Sequence, residues 1–120
     1  TATNKKSNGQ FTKLDTIEGD DLTLFQKYNS QPYVTSAGAI PWLNFGGTSL
    51  VAGASYANDA IAGKTHAEIA AALADPTTPT SKAIVGSANV FTAQICKLTD
   101  QKPAEVCTSS GVTAAAAAIK

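Results

Sequence analysis

Apolar residues recur at helical spacing through the C-terminal half of this chain. Ile84, Ala88, Phe91, Ile95 and Leu98 stand at steps of 4, 3, 4 and 3, which lays a continuous apolar seam down one side of an α-helix. Thr78-Pro79 supplies its start, a capping hydroxyl followed by proline at the first helical position, where a missing amide costs nothing. A helix from there to about Leu98 is expected. Thr65-His66-Ala67-Glu68 is a capping box opening a second helix to about Ala74, with Ile69 and Leu73 facing the core. Nearer the N-terminus Leu22, Phe25 and Tyr28 fall on one face at three-residue steps, behind the acids Glu18, Asp20 and Asp21. Acids favour the positive end of a helix dipole, so a helix from about Asp20 to Tyr28 is expected, stopped by Asn29-Ser30-Gln31-Pro32 and followed by a loop.

Between these helical patterns the spacing changes. Pro41 to Phe45 and Thr48 to Ala52 are two apolar-rich runs separated by Gly46-Gly47, and a two-residue glycine loop supplies the positive φ angles of a tight hairpin. A β-hairpin over about 41–45 and 48–52 follows. Asn58-Asp59 with Gly63 reads as an irregular or single-turn link, residues 102–107 as a short helix, and Val112 to Ile119 as an alanine-rich terminal helix that is marginal without docking. Residues 1–15 are polar, with Asn8-Gly9 as a turn dipeptide and Phe11 as an apolar anchor, and read as an extended N-terminal arm. The expected organisation is an α+β chain: that arm, then one domain over 16–120 with a helical C-terminal half.

Composition narrows the function classes. Nine Lys balance nine Asp plus Glu, giving zero formal charge without the basic excess that neutralises phosphates, so no nucleic-acid partner is expected. No run reaches the roughly 18 apolar residues of a membrane span. The hydrophobic share of 43% is inflated by alanine, and seven of the eight aromatics lie at or before Tyr56. Methionine is absent and the chain starts at Thr1 with no secretory signal ahead of it, which reads as a processed or trimmed product missing an N-terminal part.

Candidate chemistry is sparse. Cys96 and Cys107 are 11 apart, wrong for a redox Cys-x-x-Cys and, without further ligands, for structural zinc. A disulfide is the natural reading, with two buried free thiols as the alternative. A disulfide implies an oxidising compartment and hence an extracytoplasmic or secreted protein. Across a turn at residues 100–102 it would clip two helices together and contribute about 2–3 kcal/mol by the chain-entropy estimate. Cys96 sits near a helix C-terminus, where the dipole disfavours a thiolate, so the pair is structural rather than catalytic. His66 is the only histidine and reads as a surface residue. The acids at 18–21 are accounted for by capping. No Gly-x-Ser-x-Gly elbow or phosphate loop occurs, so no catalytic residue, cofactor or metal is expected. Pro41 alone reads as a proline at the first residue of a strand, with a trans bond before it.

A set of segments in order changes the picture of Pro41. Gly38-Ala39-Ile40-Pro41-Trp42-Leu43-Asn44-Phe45-Gly46, Val51-Ala52-Gly53-Ala54-Ser55-Tyr56, Glu68-Ile69-Ala70-Ala71-Ala72-Leu73, and Ile95-Cys96-Lys97-Leu98-Thr99 with Val106-Cys107 resemble the back half of the thioredoxin-like proteins grouped as domain of unknown function 929. The resemblance runs over about 20–120. It implies the C-terminal portion of a thioredoxin-like fold, with Pro41 as the cis proline, Ile40 before it, and Cys96 and Cys107 as the family's second, structural cysteine pair. The family's Cys-Pro-x-Cys segment has no counterpart here. The resemblance therefore implies a relative of thiol-disulfide oxidoreductases that is inactive alone. A cis bond would leave the backbone of Ile40 open to an extended peptide by strand addition, so Ile40 and Pro41 are the candidate peptide-docking residues, and a redox-inactive binding module is the alternative function. An uncovered hairpin edge recruits further strands. Self-association as a homodimer, or association with a separate N-terminal portion, is the expected partnership.

Overall fold

The computed structural model describes residues 3–5, 8, 11–13 and 15–119, with 3–5 and 11–13 described through their backbone. It contains both helices and antiparallel hairpins and is an α+β structure. Two compact units divide it, residues 1–39 and 40–120.

In the first unit, β1 (Thr3–Lys5) pairs antiparallel with β2 (Phe11–Lys13), Asn4 opposite Thr12. Of residues 1–15, expected as an extended arm, 3–5 and 11–13 are thus paired strands and Asn8 lies in a turn; Gly9, the Phe11 side chain and the other intervening positions lie outside the described residues. Helix α1 (Gly19–Tyr28) begins one residue before its expected start, and its half-buried positions include Leu22, Phe25 and Tyr28, the face set by their spacing. Buried Asn29 ends the helix: its N–H donates to the Phe25 carbonyl at 2.8 Å, and its Nδ2 donates to the Ala39 carbonyl at 2.9 Å, tying the following loop back. Tyr28 and Tyr33 meet edge to face at 5.0 Å.

The second unit starts with β3 (Trp42–Phe45) and β4 (Ser49–Ala52), paired antiparallel with Leu43 opposite Val51 and Phe45 opposite Ser49. The connection is three residues rather than two. Gly46 and Gly47 take φ of 58° and 73°, conformations glycine adopts without steric cost, and Thr48 is the added residue, its N–H donating to the Phe45 carbonyl at 3.0 Å. A short 3-10 turn (Asn58–Ala60) leads to α2 (His66–Leu73), whose capping box is complete: Thr65 Oγ1 accepts from the Glu68 N–H at 3.3 Å, and Glu68 Oε2 accepts from the Thr65 N–H at 2.7 Å. The long helix α3 (Pro79–Leu98) follows, then α4 (Ala104–Cys107) and α5 (Ser110–Ala118).

The buried side of α3 is not the seam of large residues. Ile95 and Leu98 are each 50% exposed, Ala88 is exposed, and the enclosed positions of its C-terminal half are Ala93, Gln94 and Cys96. The reason lies in α5, whose alanines let its axis come close to α3, so small side chains occupy the deepest layer. Ala93, Cys96, Cys107 and Val112 form this core, with Ala115, Ala116 and Ile119 packed on it. Of the expected seam, Phe91 meets Phe45 of β3 with ring centres 5.9 Å apart, and Leu98 lies over Gly46. Helix α3 therefore divides its sides between α5 and the hairpin.

The other end of α3 is held by hydroxyls. Thr80 Oγ1 donates to the Ala60 carbonyl at 2.8 Å, Thr78 Oγ1 to the Ala72 carbonyl at 2.9 Å, and Ser81 Oγ to the Leu73 carbonyl at 3.3 Å. Thr80 and Ser81 are buried. These bonds satisfy carbonyls at the C-terminal end of α2 and in the 3-10 turn, groups that no helix can satisfy internally. They explain why α2 is seated with Leu73 still exposed: polar anchoring at its end shares the work with the expected Ile69 and Leu73 face.

Candidate functional site

Ile40 and Pro41 precede β3. Ile40 is 81% exposed, the most open of the large apolar side chains among the described residues. Pro41 is exposed as well, and its carbonyl accepts the Gly53 N–H at 2.8 Å, extending the ladder by one rung. The peptide bonds before Pro32, Pro41 and Pro103 are cis. In an antiparallel pair the backbone groups of successive residues point alternately to the partner strand and away from it. With Pro41 and Phe45 carbonyls directed at the β4 side, the backbone groups of Asn44 are directed to the opposite edge. Among the described residues, β3 and β4 form a sheet of two strands, and no third strand pairs with that edge. The hairpin tip is fixed from within: Asn44 Oδ1 accepts the Gly47 N–H at 2.7 Å, and Thr48 Oγ1 donates to the Phe45 carbonyl at 2.7 Å.

Cys96 and Cys107 are joined in a disulfide with Cα atoms 5.7 Å apart. It spans the reversal between α3 and α4, where Asp100 and Gln101 take left-handed φ of 54° and 57° and the Gln101 N–H donates to the Cys96 carbonyl at 2.8 Å. Both cysteines are buried, 3% and 5% exposed, and neither is free. A buried disulfide offers no sulfur to an attacking thiolate, so its geometry is that of a covalent clip. Some 50 residues of sequence separate it from Ile40 and Pro41.

His66 is exposed at the first position of α2. Among the described residues no three His, Cys, Asp or Glu side chains are grouped to hold a metal ion, and no helix is long and apolar enough to cross a membrane. The two carboxylates that depart from ordinary behaviour are both local turn devices. Glu68 is held below the usual range by hydrogen bonds from the Thr65 backbone and hydroxyl, and Asp75 by those of Thr77.

A groove that no sequence motif marks is bounded by Val51, Ser55 and Tyr56 on one side and by α3 on the other. Its walls come from segments about 30 residues apart in sequence, so only tertiary packing creates it. The sole advance signal is Gly86, a glycine inside an otherwise good helix.

No family model, curated protein or solved structure matches the chain.

Proposed function

We propose that this chain is an extracytoplasmic, thioredoxin-like binding module that receives an extended peptide at the outer edge of β3, beside Ile40 and Pro41, and that performs no thiol-disulfide exchange on its own. The observation that carries the reading is the 81% exposure of Ile40 at the start of β3, whose outer edge pairs with no strand among the described residues. Exposed strand edges are ordinarily protected by charge, especially lysine. Here the sequence contains no Lys, Asp or Glu from Tyr28 to Asn58, so β3, β4 and their flanking loops carry no such gatekeeping charge of their own. Main-chain hydrogen bonds would supply affinity, and the exposed Ile40 side chain would supply an apolar contact.

Exchange chemistry needs an accessible thiolate, and the chain's two cysteines are consumed in the buried Cys96–Cys107 bond. The resemblance to the domain-of-unknown-function 929 proteins would make the chain a relative of thiol-disulfide oxidoreductases. The disulfide favours an oxidising, extracytoplasmic compartment.

Binding of a library of extended, uncharged peptides to the intact chain tests this reading. Ile40→Lys, which places a charge at the edge, and Ile40→Pro, which removes an amide donor, should each abolish binding while the melting temperature holds. Binding should be insensitive to added reductant while the Cys96–Cys107 bond stays intact. Peptide binding unaffected by both variants, or disulfide reductase activity of the purified chain, would overturn it.

A further inference from the structure

Helix α3 is packed on two sides and open on a third. Ala93 and Cys96 turn to the layer that holds Val112 and the alanines of α5, and Phe91 and Leu98 turn to the β3–β4 hairpin. Val85, Ala88, Thr92 and Ile95 stand at steps of 3, 4 and 3, so they follow the remaining face over about 15 Å. Val85 is 36% and Ile95 50% exposed, and Ala88 is exposed between them. Helix α2 borders this face at its N-terminal end, where the Ser81 hydroxyl donates to the Leu73 carbonyl one turn before Val85.

The stripe lacks charge along its whole length. No Lys, Asp or Glu occurs from Ala83 to Cys96, and the Thr92 hydroxyl is already bonded within the helix, donating to the Ala88 carbonyl at 2.9 Å. Its residues are also symmetric in size: large, small, small, large. In an antiparallel pairing of two such helices about a twofold axis between Ala88 and Thr92, each Val85 falls opposite the partner's Ile95 and each Ala88 opposite the partner's Thr92.

We propose that the open face of α3 docks on the same face of a second copy of this chain, as an antiparallel, twofold-symmetric helix pair. A twofold contact requires a surface complementary to itself. This stripe meets that requirement in shape and in charge: the small residues let the two axes approach at the centre, large side chains close both ends, and no charge meets its like across the axis. A partner of opposite charge would find no ion here to pair with. Packed helices cross at an angle, which carries the partner's helix away from α3 beyond this stretch, where α2 begins. A contact of one helix face per chain is smaller than a standard interface, so the dimer is a reversible one. The stripe shares no residue with Ile40, Pro41 or the β3 edge, so dimerisation and peptide docking can fail independently.

Sedimentation equilibrium of the full chain tests the pairing. The weight-average mass should climb toward twice the monomer value between about 10 μM and about 1 mM, the range of a weak interface. Val85→Glu and Ile95→Lys, both at exposed positions, should each remove the rise, with unaltered melting curves showing that the chains are folded. Mixed in equal amounts the two variants should regain it, because antiparallel pairing sets the new carboxylate opposite the new ammonium and leaves a native Val85–Ile95 contact at the other end. Ile40→Lys should leave the rise unchanged. A native chain monomeric throughout that range, self-association that survives Val85→Glu or Ile95→Lys or is lost in Ile40→Lys, or a mixture of the two stripe variants that stays monomeric would overturn the proposal.

Discussion

Leu98 at the end of α3 lies so close over Gly46 in the β3–β4 turn that a Cβ on Gly46 would sit 2.8 Å from Leu98 Cδ2. Gly46 also takes φ of 58°, so one residue answers to a local and a tertiary demand. Gly46→Ala should cost about 1–2 kcal/mol through the left-handed backbone alone. Because Leu98 is half exposed and can turn aside, the added steric cost is small. Urea unfolding of Gly46→Ala and of the double variant with Leu98→Ala separates the two contributions: the backbone cost remains in both.

Replacing both cysteines by alanine should lower stability by about 3 kcal/mol, the chain-entropy value for a loop of this length. The loss should appear first as faster amide exchange in α5, because the clip lies in the layer on which α5 packs. Hydrogen exchange resolved by residue checks the order of opening.

The Thr65–Glu68 box makes α2 sensitive to acid. Hydrogen bonds from Thr65 hold the folded Glu68 carboxyl below its ordinary pKa. The stabilisation is therefore fully present above the unfolded pKa and is lost as the pH falls through the folded one. Glu68→Gln should be less stable than the native chain at neutral pH, and the gap should close at acid pH, below the ordinary glutamate range. Thr65→Ala should cost about 1 kcal/mol. Thermal melts at neutral and acid pH distinguish the two variants.

Thr80 is 1% exposed and its hydroxyl donates to the Ala60 carbonyl. Thr80→Val keeps the shape and leaves that carbonyl without its donor, at a cost of about 1–3 kcal/mol. Thr80→Ser keeps the bond and loses a methyl group, and should be the milder change. Denaturant midpoints of the two variants rank them.

The elements were legible where the chain carries its own local chemistry. Gly46-Gly47 marks the hairpin, Thr65 with Glu68 the start of α2, and Thr78-Pro79 the start of α3, since each signal acts within a few residues. The inner face of α3 was not legible, because size was the wrong guide. The large residues Ile95 and Leu98 stay half exposed, and Ala93 and Cys96 go inside, an outcome fixed by the alanines of a helix that arrives later in the chain. The N-terminal hairpin was signalled by its turn dipeptide but not by its strands, which are three residues each. Of the candidate sites, the cysteine pair could be read from spacing, Ile40 and Pro41 rested on resemblance, and the groove had only Gly86 to announce it, since its opposite wall comes from residues 51–56.

The covalent link between α3 and α4 also sets how α5 is held. An alanine-rich helix of nine residues is marginal in water by itself, and it buries little area per residue when it docks. Tethered through the closed loop at Cys107, it meets its partner surface as an intramolecular event at high effective concentration. Weak contacts then suffice to keep it in place. The same segment offered as a separate peptide would compete poorly, so the C-terminal layer of this protein is a matter of connectivity as much as of complementarity.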